Sequence, residues 1–136
     1  MMEQLIVNIE ARSAEEITKH AKGPGTRYVF SDHKNNPDGN IYVAMRRVDN
    51  VDNPEMHIEA HTHDFESMFI FKGDNPDMSG LVAEVQLGDT WYRVESPKAV
   101  RVPAGLSHNY RFVKGSGEQW NIVLTPGADY NKTARW

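Results

Sequence analysis

Cysteine is missing from this 136-residue chain, so no disulfide can staple it and no thiolate can bind metal or attack a substrate. Any metal would have to be held by nitrogen and oxygen. Long apolar runs are missing too, and no segment approaches the roughly eighteen apolar residues that a transmembrane helix needs. The opening Met1-Met2-Glu3-Gln4 lacks the basic region and apolar core of a signal peptide, which sets the expectation of a cytoplasmic protein with no membrane partner. Dense basic runs are absent, and 15 Lys+Arg against 19 Asp+Glu give a formal net charge of -4. That balance argues against nucleic acid as a partner. What is present is the composition of a folded globular protein, 39% hydrophobic and 25% charged. The length suits a single domain over residues 1–136, with no repeat, low-complexity tract or linker.

Residues 3–10, with Leu5-Ile6-Val7 at their centre, read as a short strand. Ser13 followed by Glu15 and Glu16 predicts a helix start, and Gly23-Pro24-Gly25 stops that helix near Lys22. It is the one helix expected. From Thr26 onward the chain alternates short strand candidates with turn residues: 27–31, 41–49, 56–63, 68–72, 81–87, 90–95, 99–102, 108–113 and 120–124. The 81–87 stretch alternates cleanly, with Leu81, Ala83, Val85 and Leu87 on one face, and Gly88-Asp89 turns it into the next strand. Gly115-Ser116-Gly117 separates the last two strands. The pattern predicts an all-β fold, an antiparallel barrel or double sheet of jelly-roll type with a core over about 26–125, preceded by an N-terminal strand and helix in 1–25. An immunoglobulin-like sandwich is the competing architecture. The tail 127–136 is polar with aromatics and is expected to pack back on the barrel.

His61-Thr62-His63 puts two imidazoles on one face of an extended segment, because side chains alternate along a strand. Glu66 follows closely, and His108 arrives after the Pro103-Ala104-Gly105 turn. Three His and one carboxylate make an open metal site with positions left for water or substrate. In a regular strand, His57 and Glu59 share the face of His61 and His63, where they would orient a ligating imidazole or line the rim. His20 and His33 fall in helix and turn contexts and read as solvated. Met45, Met68, Ile70, Trp91, Tyr110, Phe112, Trp120 and Ile122 read as core or pocket wall. Arg47 either lines the cavity, where it would clasp a substrate carboxylate, or projects into solvent.

The two histidine stretches resemble the paired motifs of the cupin family, Gly-x5-His-x-His-x3,4-Glu-x6-Gly and Gly-x5-Pro-x-Gly-x2-His-x3-Asn. His61, His63, Glu66 and Gly73 match the first; Pro103, Gly105 and His108 match the second. The resemblance covers roughly residues 41–125. Glu55 and Pro97 stand where the motif glycines would be, and Phe112 takes the terminal Asn position. Only two residues separate His63 from Glu66. Counting forward from His63 puts Ser67 in the carboxylate's place, whereas counting back from Gly73 puts Glu66 there. Glu66 is the expected ligand, aimed by a local bulge, since a hydroxyl binds metal poorly.

The resemblance implies a jelly-roll barrel holding one divalent transition metal (Fe, Mn, Zn or Ni) on His61, His63, Glu66 and His108. It implies an enzyme acting on a small, oxygen-rich organic molecule, by O2-dependent oxidation or by Lewis-acid isomerase, lyase or cyclase chemistry. Glu66 or Glu59 would move protons in that reaction if free of the metal. A non-catalytic small-molecule-binding cupin is the other outcome. A homodimer is the expected assembly, from the lead-in strand and the resemblance together.

Overall fold

The computed structural model describes residues 2–136. Ten strands carry the architecture: β1 (Glu10–Ala11), β2 (Thr26–Ser31), β3 (Ile41–Asp52), β4 (Thr62–His63), β5 (Ser67–Gly73), β6 (Leu81–Leu87), β7 (Thr90–Glu95), β8 (Lys98–Val102), β9 (His108–Leu124) and β10 (Ala134–Arg135). All pairings between them are antiparallel. The main sheet runs β1-β2-β3-β9-β5-β8, with the β6–β7 hairpin attached through β9, while β4 and β10 form a separate pair. This is the expected all-β jelly-roll arrangement. No helix among the described residues is long and apolar enough to cross a membrane.

The N-terminal expectations are corrected. The helix is a single 3-10 turn, Ala14–Glu16, although Ser13 caps it as predicted by accepting from the Glu15 amide. Three residues cannot repay helix nucleation, and Glu16 is drawn instead into ion pairs with Arg27 and Lys34. The strand expected over 3–10 is reduced to Glu10–Ala11, and Leu5, Ile6 and Ile9 are exposed.

β9 organises the rest. Its first half pairs with β6, and its second half lies between β3 and β5. The two strands expected over 108–113 and 120–124 are therefore one, bent rather than broken at Gly115. That glycine has φ +105°, and a Cβ there would sit 2.0 Å from the Gly80 carbonyl oxygen.

One end of the interior is apolar, built from Phe69, Phe71, Leu81, Val85, Val102 and Phe112. A second apolar cluster joins Tyr42, Ala44 and Val123 to Ile17 and to Tyr130 and Ala134 of the tail. The tail thus packs back on the barrel. Met68 and Trp91, read as core, are exposed. On β5 it is Ser67, Phe69 and Phe71 that point inward, a phase that the continuous apolar run 68–71 could not reveal.

Gly115→Ala is expected to destabilise the fold by roughly 1–3 kcal/mol from backbone strain alone, with the clash against Gly80 added. Urea denaturation checks this; a midpoint equal to that of the parent protein would show that the corner relaxes freely.

Candidate metal centre

Backbone pairing brings the two histidine stretches together. His61 and His108 form a β-bridge, with the His61 amide donating to the His108 carbonyl (3.1 Å) and the His108 amide to the His61 carbonyl (2.9 Å). On the other side Ala134 of β10 pairs with His63 of β4, and the Asp64 amide donates to the Thr133 carbonyl. The tail therefore clamps the strand that carries His63. The imidazoles of His61, His63 and His108 are buried, and one ring nitrogen from each lies within 4.8 Å of the other two.

Hydrogen bonding determines what those nitrogens present. His61 Nδ1 lies 2.8 Å from the Glu59 carbonyl oxygen, and His108 Nδ1 lies 2.9 Å from that of Leu106. A carbonyl only accepts, so both Nδ1 atoms carry the proton. His63 Nδ1 meets the Thr133 hydroxyl at 3.1 Å. That hydroxyl donates to the Tyr130 carbonyl at 2.8 Å, so here too Nδ1 is the donor. All three rings accordingly turn an unprotonated Nε2 inward. The Nε2 atoms of His61 and His63 stand 3.1 Å apart with no proton between them, and His108 Nε2 is buried without a partner.

Lone pairs facing one another in a buried site repel unless a cation lies among them. Two nitrogens bound at the usual 2.0–2.1 Å to one ion stand roughly 2.9–3.3 Å apart at octahedral or tetrahedral angles. The residues fit a transition metal. Burial also keeps the imidazoles neutral and ready to bind: it pulls His61 down to about 3 and His63 to about 2, and lowers His108.

The two carboxylates expected at the site are elsewhere. Glu66 is exposed and paired with Arg101 at 2.6 Å, and no bulge turns it inward. The phase of β5 gives the inward position to Ser67, whose buried hydroxyl has no partner. Glu59 points to solvent near Lys19 (3.7 Å) because the chain before β4 is irregular and does not keep strand alternation; only its carbonyl serves the site. The ligand set the structure brings together is therefore three imidazoles, without Glu66.

His57 is buried, but its Nε2 lies 3.2 Å from the Tyr110 hydroxyl rather than on a ligating imidazole. His20, read as solvated, instead packs its ring against His61, Tyr130 and Trp136. His33 is exposed. Tyr130, Thr133 and Trp136 went unrecognised as site residues. The Tyr130 hydroxyl donates to His61 Nε2 at 2.8 Å, and the Trp136 ring lies 4.4 Å from that of His61. Aromatic residues in a polar tail were the only available signal.

No family model matches the chain, and no curated protein matches it by sequence. Solved structures do match. A cupin-2 domain protein of Rhodospirillum rubrum aligns with a TM-score of 0.52 at 14% identity, over 87% of this chain and 69% of its own. The fold is that of the cupins. The cupin arrangement recurs in KdgF from Halomonas sp., with TM-score 0.51, 13% identity and 86% of each chain covered. It recurs again in oxalate decarboxylase from Bacillus subtilis, with TM-score 0.56 and 14% identity over 92% of this chain and 31% of that larger one. Within this fold, His61, His63 and His108, the three histidines of the motif resemblance, come together in one cluster.

Burial lowers His20 to about 4 and His57 and His61 to about 3, whereas the same residues titrate near 6.5 in the unfolded chain. Below about pH 6.5 the unfolded chain binds protons that the fold refuses, so stability of the metal-free protein is expected to fall from there towards about pH 3. Each such residue contributes up to about 1.4 kcal/mol per pH unit. Urea midpoints at pH 7.5 and 5.0 measure this, and equal midpoints would contradict it. Thr133→Val removes the acceptor of His63 Nδ1 and is expected to weaken metal binding about 10–100-fold, while Thr133→Ser preserves it. Competition against a chelating dye reads both.

Proposed function

We propose that this protein is a metal-dependent enzyme in which His61, His63 and His108 hold one divalent transition metal (Fe, Mn, Zn or Ni). A small, oxygen-rich organic molecule is transformed in the cavity beside it. The observation that carries this reading is the convergence of three buried Nε2 lone pairs, each with its Nδ1 proton committed to an oxygen behind the ring. Three neutral ligands leave the charge of the ion undiminished and leave coordination positions open. When bound, the ion would supply Lewis acidity to a substrate oxygen, or a redox centre for O2 if it is iron.

The chain's own groups divide the remaining work. His61 forms part of the wall of an interior cavity that opens to solvent at its mouth. Tyr130 also lines it, and burial raises its phenol well above the ordinary value, so the hydroxyl remains a proton donor near neutral pH. Turned from His61 Nε2 towards a bound molecule, it would donate to a substrate oxygen. With Glu59 and Glu66 in solvent, Tyr130 and the Tyr110–His57 pair are the groups placed to hold or pass a proton within the cavity.

Elemental analysis of untagged protein purified without chelator tests the reading, beside a His61→Ala/His108→Ala variant. About one equivalent of metal is expected in the parent protein and none in the variant, with circular dichroism unchanged. Iron directs the next assays to oxygen uptake, and zinc, nickel or manganese directs them to isomerase and lyase screens. No metal, even after reloading with each candidate, would refute the enzyme reading and leave a small-molecule-binding barrel.

A further inference from the structure

The cavity contains a charge that nothing around it balances. Arg27, Arg46 and Gln119 sit side by side on β2, β3 and β9 as direct register partners, and all three side chains are buried. Two guanidinium groups on facing positions of adjacent strands repel. Arg27 is compensated: Glu16 accepts from it at 2.7 Å and the Tyr42 hydroxyl at 2.8 Å. Arg46, only 4% exposed, has no carboxylate partner among the described residues. Its Nη1 donates to the Lys22 and Pro24 carbonyl oxygens at 2.9 and 2.7 Å, which satisfies two N–H groups but no charge. Beside it, Gln119 Nε2 is a buried donor with no acceptor, and Asn121 Oδ1 also lacks a partner. None of the described residues lining the cavity is acidic.

A buried, unpaired guanidinium is costly, and folds retain one where a ligand completes it. The deficit here is one negative charge. Arg46 also meets the Tyr110 hydroxyl, a neutral group that leaves the charge unbalanced, so the donors offered to a ligand are the remainder of its guanidinium and the Gln119 amide. That matches a carboxylate, which Arg binds in bidentate fashion, better than a phosphate, which brings close to two charges and more acceptors than the site has donors. Arg47, the neighbour considered for this role from the sequence, faces outward and is paired with Asp74 and Asp49.

We propose that the cavity binds a small monocarboxylate, with its carboxylate on Arg46 and Gln119 and the rest of the molecule directed towards His61. The inference rests on the proposed function only in treating the bound molecule as the substrate; the anion site itself stands on Arg46 and Gln119. It makes Arg46 the residue that selects an acid over its neutral analogues.

Calorimetric titration at pH 7 with acetate, pyruvate and benzoate, each beside its amide, and with inorganic phosphate tests it. At least one acid is expected to bind about tenfold or more tightly than its amide, and more tightly than phosphate. Because Arg46 also anchors residues 22–24, Arg46→Met could lose binding by loosening the fold. Gln119→Glu avoids this by placing a permanent carboxylate beside Arg46. It is expected to raise the thermal midpoint, abolish binding of the acid and leave metal content unchanged. The His61→Ala/His108→Ala variant is expected to keep the preference for acid over amide. Acids binding no better than amides, phosphate binding best, or Gln119→Glu binding the acid as before would each overturn the proposal. Loss of the preference only in the double histidine variant would do so too, since the acid would then be sitting on the metal. A protein that takes up no metal yet loses acid binding with Gln119→Glu would refute the enzyme reading while upholding this one.

Discussion

Three imidazoles can share a buried pocket only if something decides where their protons go, and here the backbone decides. The carbonyls of Glu59 and Leu106 hold the Nδ1 protons of His61 and His108, and the Thr133 hydroxyl, committed to the Tyr130 carbonyl, holds that of His63. The inward nitrogens are left unprotonated at short range, His108 Nε2 with no partner and His61 Nε2 met only by the Tyr130 hydroxyl, an arrangement that a cation relieves. The tail's docking, the bridge between His61 and His108, and the neutrality imposed by burial all serve this constraint.

The barrel interior is divided accordingly. Its apolar end, centred on Phe71, Leu81 and Phe112, supplies the burial that stabilises the fold. The other end is polar, with Arg27, Arg46, Gln119 and Asn121 directed inward where a purely structural core would carry aliphatic side chains. Polar groups that are buried and incompletely paired weaken a fold, and here they line the cavity whose wall His61 shares. β9 joins the two ends: His108 begins it, Tyr110 and Phe112 enter the apolar side, and Gln119 and Asn121 line the cavity beyond the Gly115 bend.

Much of this was legible in the residue order. The β6–β7 hairpin was readable because Leu81, Ala83, Val85 and Leu87 alternate strictly with polar neighbours and a glycine turn follows. The histidines were readable because the spacing within His61-Thr62-His63 and the Pro-x-Gly turn before His108 are local features. Glu66 was not. Its direction depends on the phase of β5, and Met68-Phe69-Ile70-Phe71 is apolar at every position, so either phase buries a comparable surface. The same ambiguity separated Arg46 from Arg47: both lie on β3, and only pairing with β2 and β9 turns Arg46 inward.

By itself, then, the sequence determined the class of fold, the order of its main strands and the identity of three metal-ligating candidates, because alternation, turn residues and short motifs are properties of neighbouring positions. The tertiary structure decided which other groups turn inward. Ser67 instead of Glu66, Thr133 and Tyr130 from the distant tail, and an uncompensated Arg46 beside Gln119 all follow from strand phase and long-range register. Those quantities are set by which faces meet across the barrel, and no stretch of chain carries that information alone.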